Sequence, residues 1–496
     1  MEQFYKEWNN RKKYWFNQND LNDKYLSNEF GYLIDIYQYN KTNAIYGILI
    51  YDQLTRHYYR NQNANHIITY FNRKALEIVL DNKNEEFIAN LLNEDWIFYM
   101  LVYRHTNERT HLLYVMNEMW KREPINKQFI KATYMRANFK EELEYYYDES
   151  EDIKYDKSIL DVNAKFNEEI RNIGNFTEIP LNQKIIISLS GGVDSISCLY
   201  YLSKLTTNII AVHINYNNRK ETEEEVKFLR NICNKLDVVL FVRTINEIKR
   251  QICSENDMRD IYESYTKKIR FNSYKSIYEE NEIPVVILGH NKDDCFENIL
   301  TNIAYRNKYD NLKGIELKTT IEGIIFHRPL INTSKEDIYK FANYHNLPYL
   351  KNSTPDWCQR GKIRNSVVPV LNQWDTRIID GLFNLTDVLR DLHINLNVMI
   401  EEFKEHKKEN INNLNTSFLY WKYGIFKLYN FYPSNKSLKA LIERLIIWKN
   451  KYEKEFIHRT TTIIINKHLQ LYIWKCRKNN YEYIFKIDNN NNLNIS

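Results

Sequence analysis

Ten consecutive residues, Ile187-Ser188-Leu189-Ser190-Gly191-Gly192-Val193-Asp194-Ser195-Ile196, join an apolar run to paired glycines, hydroxyls and a carboxylate. An apolar strand that ends in two glycines can turn tightly and expose backbone N–H groups with no Cβ in the way. Ser195 then opens a helical segment whose free N–H groups and dipole favour phosphate, and the hydroxyls of Ser190 and Ser195 add donors. Asp194 is out of place in a simple anion cradle, because it repels phosphate unless Mg²⁺ or a cationic group neutralises it. Its presence points to chemistry. The stretch is neither a Walker loop, since no Gly-Lys-Ser/Thr follows, nor a G-x-G-x-x-G fingerprint. The bland alternative is a Ser/Gly turn between strand and helix.

A second group is His290-Asn291-Lys292-Asp293-Asp294-Cys295-Phe296-Glu297. It follows the apolar run Val285 to Leu288, so His290 falls at the C-terminal end of a strand, where open α/β sheets bind ligands. Asp294 and Glu297, three apart, share a helix face and could hold Mg²⁺ or an ammonium group and later accept a proton. Helix capping is the competing reading. A third group, Arg360, Lys362 and Arg364, places three cations within five residues, enough to neutralise nucleotide or RNA phosphates or simply to form a solvated face.

The elements that must position these groups emerge from hydrophobic periodicity. Lys184 to Leu189, Asn208 to Ile214, Val238 to Val242 and Val285 to Leu288 read as strands separated by amphipathic helices. That alternation predicts a parallel sheet with helices on both faces. Before residue 180 the spacing is helical, as in Ile45, Ile48 and Leu49 or Trp96, Met100 and Tyr103. Tyr145 to Leu160 is acidic and Tyr-rich, a linker or exposed edge. Helical spacing returns after Leu330, and Thr460 to Ile487 mixes β-like runs with basic residues.

The whole chain, 496 residues with 43% hydrophobic and 27% charged side chains, suggests several domains of a soluble protein. No run is long and apolar enough to span a bilayer and the start lacks a signal-peptide core, so no membrane partner and an intracellular, cytoplasmic setting are expected. Six scattered cysteines without a C-x-x-C pair argue against zinc ribbons, iron–sulfur sites and disulfides. A net charge of +5 does not identify a nucleic-acid binder. Its placement says more: Phe431 to Ser496 carries 12 Lys and Arg against 5 Asp and Glu, interleaved with Trp448, Tyr452, Tyr472, Trp474, Tyr481 and Tyr483. Stacking rings among cations suit RNA, and a charged face over core aromatics explains them equally well.

Ser190-Gly191-Gly192-Val193-Asp194-Ser195 resembles the pyrophosphate loop of the ATP-pyrophosphatase (PP-loop) superfamily, whose members cleave ATP to AMP and pyrophosphate. His290 to Asn298 resembles the His-x-x-Asp-Asp-x-x-Glu-Thr segment of tRNA(Ile)-lysidine synthetases. Arg270-Phe271, Arg328-Pro329-Leu330 through His345-Asn346-Leu347-Pro348-Tyr349, and Arg360 to Pro369 are similar to further stretches of that family. Departures occur at Arg306-Asn307-Lys308-Tyr309, which lacks the family's glycines, at Cys295 and at Asn365.

The resemblance implies an ATP-dependent ligase acting on tRNA with free lysine as co-substrate. Ser190 to Ser195 with Mg²⁺ would bind ATP, Asp194 and Asp294 would meet the metal or the lysine ammonium, and Arg270, His290 and Glu297 would act in catalysis. Arg360, Lys362 and Arg364 would bind substrate. A 2-thiolation enzyme of the same superfamily would want sulfur-relay cysteines, and a scaffold with an inactive ATP fold would not keep Asp194 together with His290, Asp294 and Glu297.

Upstream, Ile48 to Arg60 resembles the Leu-Leu-Asp-Gln-Phe-Pro-Arg-Asn-x-x-Arg signature of a bacterial, all-helical, TPR-like family without an assigned function, and Asn93 to Tyr99 with Arg104 to Glu108 is similar to its later segment. Asp52, Arg56, Arg60 and His105 form either a polar site between helices or buried ion pairs. The expected organisation is a multidomain chain. An all-α TPR-like domain spans 1–165, an α/β parallel-sheet PP-loop domain of the adenine nucleotide alpha hydrolase-like kind spans 178–372, and a helical plus mixed α/β region spans 373–496. The first two are expected to fold independently.

Overall fold

The computed structural model describes residues 1–15, 19–60, 62, 64–147, 171–218, 221–305, 312, 314–350, 359–401, 406–410, 414, 416–429, 432–452, 460–465, 469–475 and 480–487. The linker expected from Asp148 to Leu160, the departure at Arg306 to Tyr309, and Cys358 lie outside them. The chain forms two compact units, Met1–Asp293 with Leu317–Pro355, and Asp294–Glu316 with Asp356–Ser496.

The first unit contains a seven-stranded sheet: β1 (Glu144–Tyr146), β2 (Ile185–Ser188), β3 (Ile209–Asn215), β4 (Val239–Thr244), β5 (Val286–Ile287), β6 (Lys318–Ile321) and β7 (Ile324–His327), ordered β1-β4-β3-β2-β5-β7-β6. Strands β4, β3, β2, β5 and β7 run parallel, while β1 and β6 close the two edges antiparallel. The four strands read from sequence are present within one or two residues of their expected bounds. The sequence reading missed the hairpin β6–β7, and β1 turns the expected linker or exposed edge into a paired strand.

Alternation along the strands assigns each side chain to a layer. Ile185 and Ile187 of β2, with Ile209 and Ala211 of β3, join a core with Leu199, Phe228 and Phe341 from helices Val193–Ser203, Thr222–Lys235 and Lys335–Tyr344. Ile186, Ile210, Val212 and Ile214 belong to the other core, together with Ile269 and Tyr274 of helix Arg259–Asn281. That second core runs without a break into Trp8, Ile48, Phe98, Met116 and Tyr134 of the N-terminal helices. These helices run from Glu2–Asn10 to Lys127–Arg136.

The expected boundary between 165 and 178 therefore does not coincide with a gap in packing. The Tyr134 ring packs tilted against Tyr265, centres 4.7 Å apart, and its hydroxyl donates to the Glu247 carbonyl at 2.7 Å. Arg243 of β4 is buried between Glu141 (2.7 Å) and Glu247 (2.5 Å), and Tyr265 donates to Glu247 at 3.1 Å. Such a network tolerates burial only while every partner is present.

The second unit includes helices Ile378–Glu401, Phe418–Tyr429 and Asn435–Tyr452 and an antiparallel sheet of β8 (His406–Asn410), β9 (Thr460–Ile464), β10 (Leu469–Lys475) and β11 (Asn480–Ile487), ordered β8-β11-β10-β9. Trp448, Tyr481 and Tyr483 are core residues packed with Trp421, Leu441 and Ile473. For these three rings the core reading holds, because a buried ring has no face to offer a base.

Candidate active site

The first unit's sheet changes direction of growth at β2. The chain adds β3 and then β4 on one side of it, and places β5 and then β7 on the other. The crevice outside the C-terminal ends of β2 and β5 is the topological switch point, where such sheets bind ligands. Both sequence motifs of this unit fall there, since Ser190 follows β2 and His290 follows β5.

The loop's shape follows from its glycines. Gly191 has φ +83°, in the left-handed region, and a Cβ there would meet Leu350 at 2.5 Å. Gly289, after β5, lies so close to the loop that a Cβ would be 3.1 Å from the Ser195 nitrogen. Gly192 is the N-cap of helix Val193–Ser203 and offers no side chain to its first N–H groups. Such an uncapped end favours an anion. Ser195 is buried; its hydroxyl donates to the Gly192 carbonyl at 3.1 Å and accepts from the Ser190 N–H at 3.2 Å, locking the turn.

Asp194 is held from two sides and neutralised from one. Asn291 Nδ2 donates to Oδ1 at 2.9 Å, and Lys335 Nζ pairs with Oδ2 at 2.5 Å. Lys335 is the first residue of helix Lys335–Tyr344; its own N–H donates to Asp293 Oδ2 at 3.2 Å. A lysine at a helix N-terminus opposes the helix dipole, so its carboxylate partners explain the position.

Neither Lys335 nor Asn291 was selected from sequence as a site residue. Asn291 sits inside the His290 motif, whereas Lys335 is 141 residues from Asp194. Its one signal is a cation just after the N-cap Ser334. A third missed residue is His213 at the end of β3. It is buried, its Nδ1–H donates to the Leu189 carbonyl at 2.8 Å, and burial lowers it to about 4. The neutral ring thus braces the residue before Ser190. Arg270 is half-buried on helix Arg259–Asn281. Its charge opposes the burial that pushes Tyr274 up to about 12. Tyr274 shares a 2.6 Å hydrogen bond with Ser188 at the end of β2.

The second unit assembles Asp294, Glu297 and Arg364. Glu297, almost fully buried on helix Lys292–Ala304, accepts on one oxygen from Arg364 Nε (2.9 Å) and Nη2 (2.7 Å). Arg364 Nη2 lies 3.8 Å from Asp294. Burial raises the Glu297 carboxyl, outweighing the Arg364 charge, and so strengthens it as a base. Arg360 and Lys362 are exposed.

Among the described residues no group of three His, Cys, Asp or Glu side chains could hold a metal ion. A Mg²⁺ carried on nucleotide phosphates would need only one or two protein carboxylates, and at this loop the carboxylate is that of Asp194. Cys198, Cys233, Cys253 and Cys295 are buried free thiols that burial pushes up, away from the thiolate form. No described helix is long and apolar enough to cross a membrane.

Residues 162–371 match the PP-loop domain family, so the α/β part of this chain is a PP-loop domain. Its curated relatives include tRNA(Ile)-lysidine synthases. That of Malacoplasma penetrans is 25% identical over 203 residues, 41% of this chain and 66% of that protein. That of Mycoplasma mycoides is 25% identical over 315 residues, 59% of this chain and 74% of that protein. The chain spans about half the length of several others. Among solved structures, the tRNA thiolase NcsA of Methanococcus maripaludis matches at a TM-score of 0.35 and 17% identity, over 42% of this chain and 72% of that one.

Proposed function

We propose that this protein is an ATP-dependent ligase that modifies tRNA in the cytoplasm, joining free lysine to an adenylated wobble cytidine. The observation that carries the reading is the loop Ser190 to Ser195 at the switch point, with Asp194 held by Lys335 and Asn291. The lysidine synthase relatives support the choice of substrate.

In this reading the backbone of Gly191 to Ser195 holds the ATP phosphates. Asp194 would share a Mg²⁺ with them, whose charge would help pyrophosphate leave. The cytidine O2 attacks the α-phosphorus, the bond to the β-phosphate oxygen breaks, and Arg270 and Lys335 stabilise the charge that builds on the phosphates. The lysine ε-amine then attacks the activated carbon and AMP departs. Asp294 and Glu297 receive the lysine ammonium, and Glu297, raised by burial, takes its proton. His290 orients the base, the exposed Arg360 and Lys362 meet tRNA phosphates, and Arg364, expected from sequence to join them, instead holds Glu297 in place.

The test is to incubate the protein with ATP, labelled lysine and isoleucine tRNA and to identify modified nucleosides by mass spectrometry. Equimolar pyrophosphate, AMP and lysidine are expected. Sulfur in the product, or lysine left free while pyrophosphate is released, overturns the assignment.

A further inference from the structure

The helical module holds a cavity of about 520 Å³ whose polar lining includes Arg56, Arg60, Arg104, Arg136, His57 and His105. The π-helical turn Leu49–Leu54 supplies its buried acid, Asp52, which pairs with His105 (2.8 Å) and Arg56 (3.3 Å) and accepts from Gln53. Burial works against ionisation of Asp52, yet these partners hold it at about 2. The second acid, Asp23, pairs with His57 (2.5 Å) and Arg60 (2.8 Å). Two carboxylates thus account for two arginines.

Arg104 and Arg136 are left over. Among the described residues neither has a carboxylate within ion-pair distance. Arg104 is only 5% exposed; Nη1 reaches Thr133 Oγ1 at 3.4 Å, Nε lacks an acceptor, and the guanidinium lies 5.3 Å from the Phe129 ring centre. Burial, reinforced by Arg136, pushes it down to about 10. Asp52 attracts this charge without pairing to it; a buried guanidinium with no paired carboxylate is costly, and a network built only to join helices would not retain one. The other lining residues mix Gln53, Asn65 and Gln128 with the apolar Trp15, Ile68, Leu101 and Phe129. Clustered guanidinium groups beside aromatic rings describe a site for an anion that carries an organic group.

We propose that this cavity binds a phosphate monoester, with Arg104 and Arg136 on the phosphate and the Trp15–Phe129 wall on its organic group. The ester can come from a free nucleotide or from the 5′ end of an RNA strand, and the experiment separates the two. Inorganic phosphate, AMP and a 5′-phosphorylated RNA trinucleotide are titrated calorimetrically into the full chain and into Arg104→Met and Arg136→Gln, with ATP present throughout to occupy the loop Ser190 to Ser195. At least one ester should bind the parent and bind at least tenfold more weakly to the two arginine variants.

AMP binding identifies the free nucleotide as the source; binding of the trinucleotide alone identifies the strand. If no ester binds the parent, or both arginine variants bind like the parent, the proposal is wrong. Arg104→Met should melt no lower than the parent, since it removes a buried unpaired charge. Should it fail to fold, the exposed Arg136 carries the test.

Discussion

Asp194 resolves a conflict that sequence raises but cannot settle. A carboxylate in a phosphate cradle needs a cation, and Lys335 supplies one from a helix far along the chain. Asp194→Asn should abolish tRNA-dependent pyrophosphate release with the melting temperature nearly unchanged. Lys335→Met should slow release by about 10²–10³-fold, the scale for one electrostatic group aimed at developing charge. The pair is a fifth exposed on each side, so its loss should cost no more than about 1 kcal/mol of stability. Parent-like turnover in Lys335→Met would reduce the lysine to a structural tether. His213 makes a pH-dependent contribution. Burial lowers its value from 6.5 to about 4, so the folded state prefers the neutral ring. The stability this confers is complete above pH 6.5 and drains away as pH falls toward 4, by about 3 kcal/mol at most. In urea unfolding at pH 7.5 and 4.5, His213→Gln should lose less stability than the parent between the two values. Equal losses would mean that His213 titrates in the fold as it does in water.

At the scale of elements, local pattern revealed what local chemistry creates. Ile185-Ile186-Ile187 is a strand buried on both faces, and two glycines before a helix make the loop; both are legible in sequence. The hairpin β6–β7 was not, because Lys318–Ile321 is a mostly exposed edge strand with little apolar alternation. Helix Asn435–Tyr452 shows the limit from the other side. Its Leu438, Leu441, Leu445 and Trp448 face the core, while Lys436, Lys439 and Arg444 are exposed. The charge surplus of the tail was visible in composition, but which aromatics remain free to stack was not. If this face meets tRNA, replacing the three cations by Ala should weaken binding at low salt. It should also reduce the salt slope by about 0.7–0.9 for each phosphate contact removed. An unchanged slope would assign the face to solvent.

For the molecule as a whole, the N-terminal helices cover one face of the sheet that carries the ATP loop. Sequence resemblance drew a boundary where two families meet, and packing does not respect it, because side chains on the two parts were chosen against each other. Residues 175–496 expressed alone would expose Ile186, Ile210, Val212 and the aromatic face of helix Arg259–Asn281. They would also leave Arg243 without Glu141. Aggregation or loss of cooperative melting is expected for that fragment; a soluble, sharply melting fragment would restore the picture of independent units.

The shared core also sets an order of events during synthesis. Its contributors extend from Phe4 to Phe326, and the first unit needs chain from both sides of the excursion 294–316. Helices made first can pack on one another, as Trp8 does on Trp15 and Phe98, but the side chains that face Tyr265 must wait for helix Arg259–Asn281. At about 5–20 residues per second, the stretch between Tyr134 and Phe326 takes on the order of ten to forty seconds to translate. For much of that interval the nascent helices hold Met116 and Tyr134 without their partner Tyr265, so a surface made early in synthesis is completed only by chain made much later.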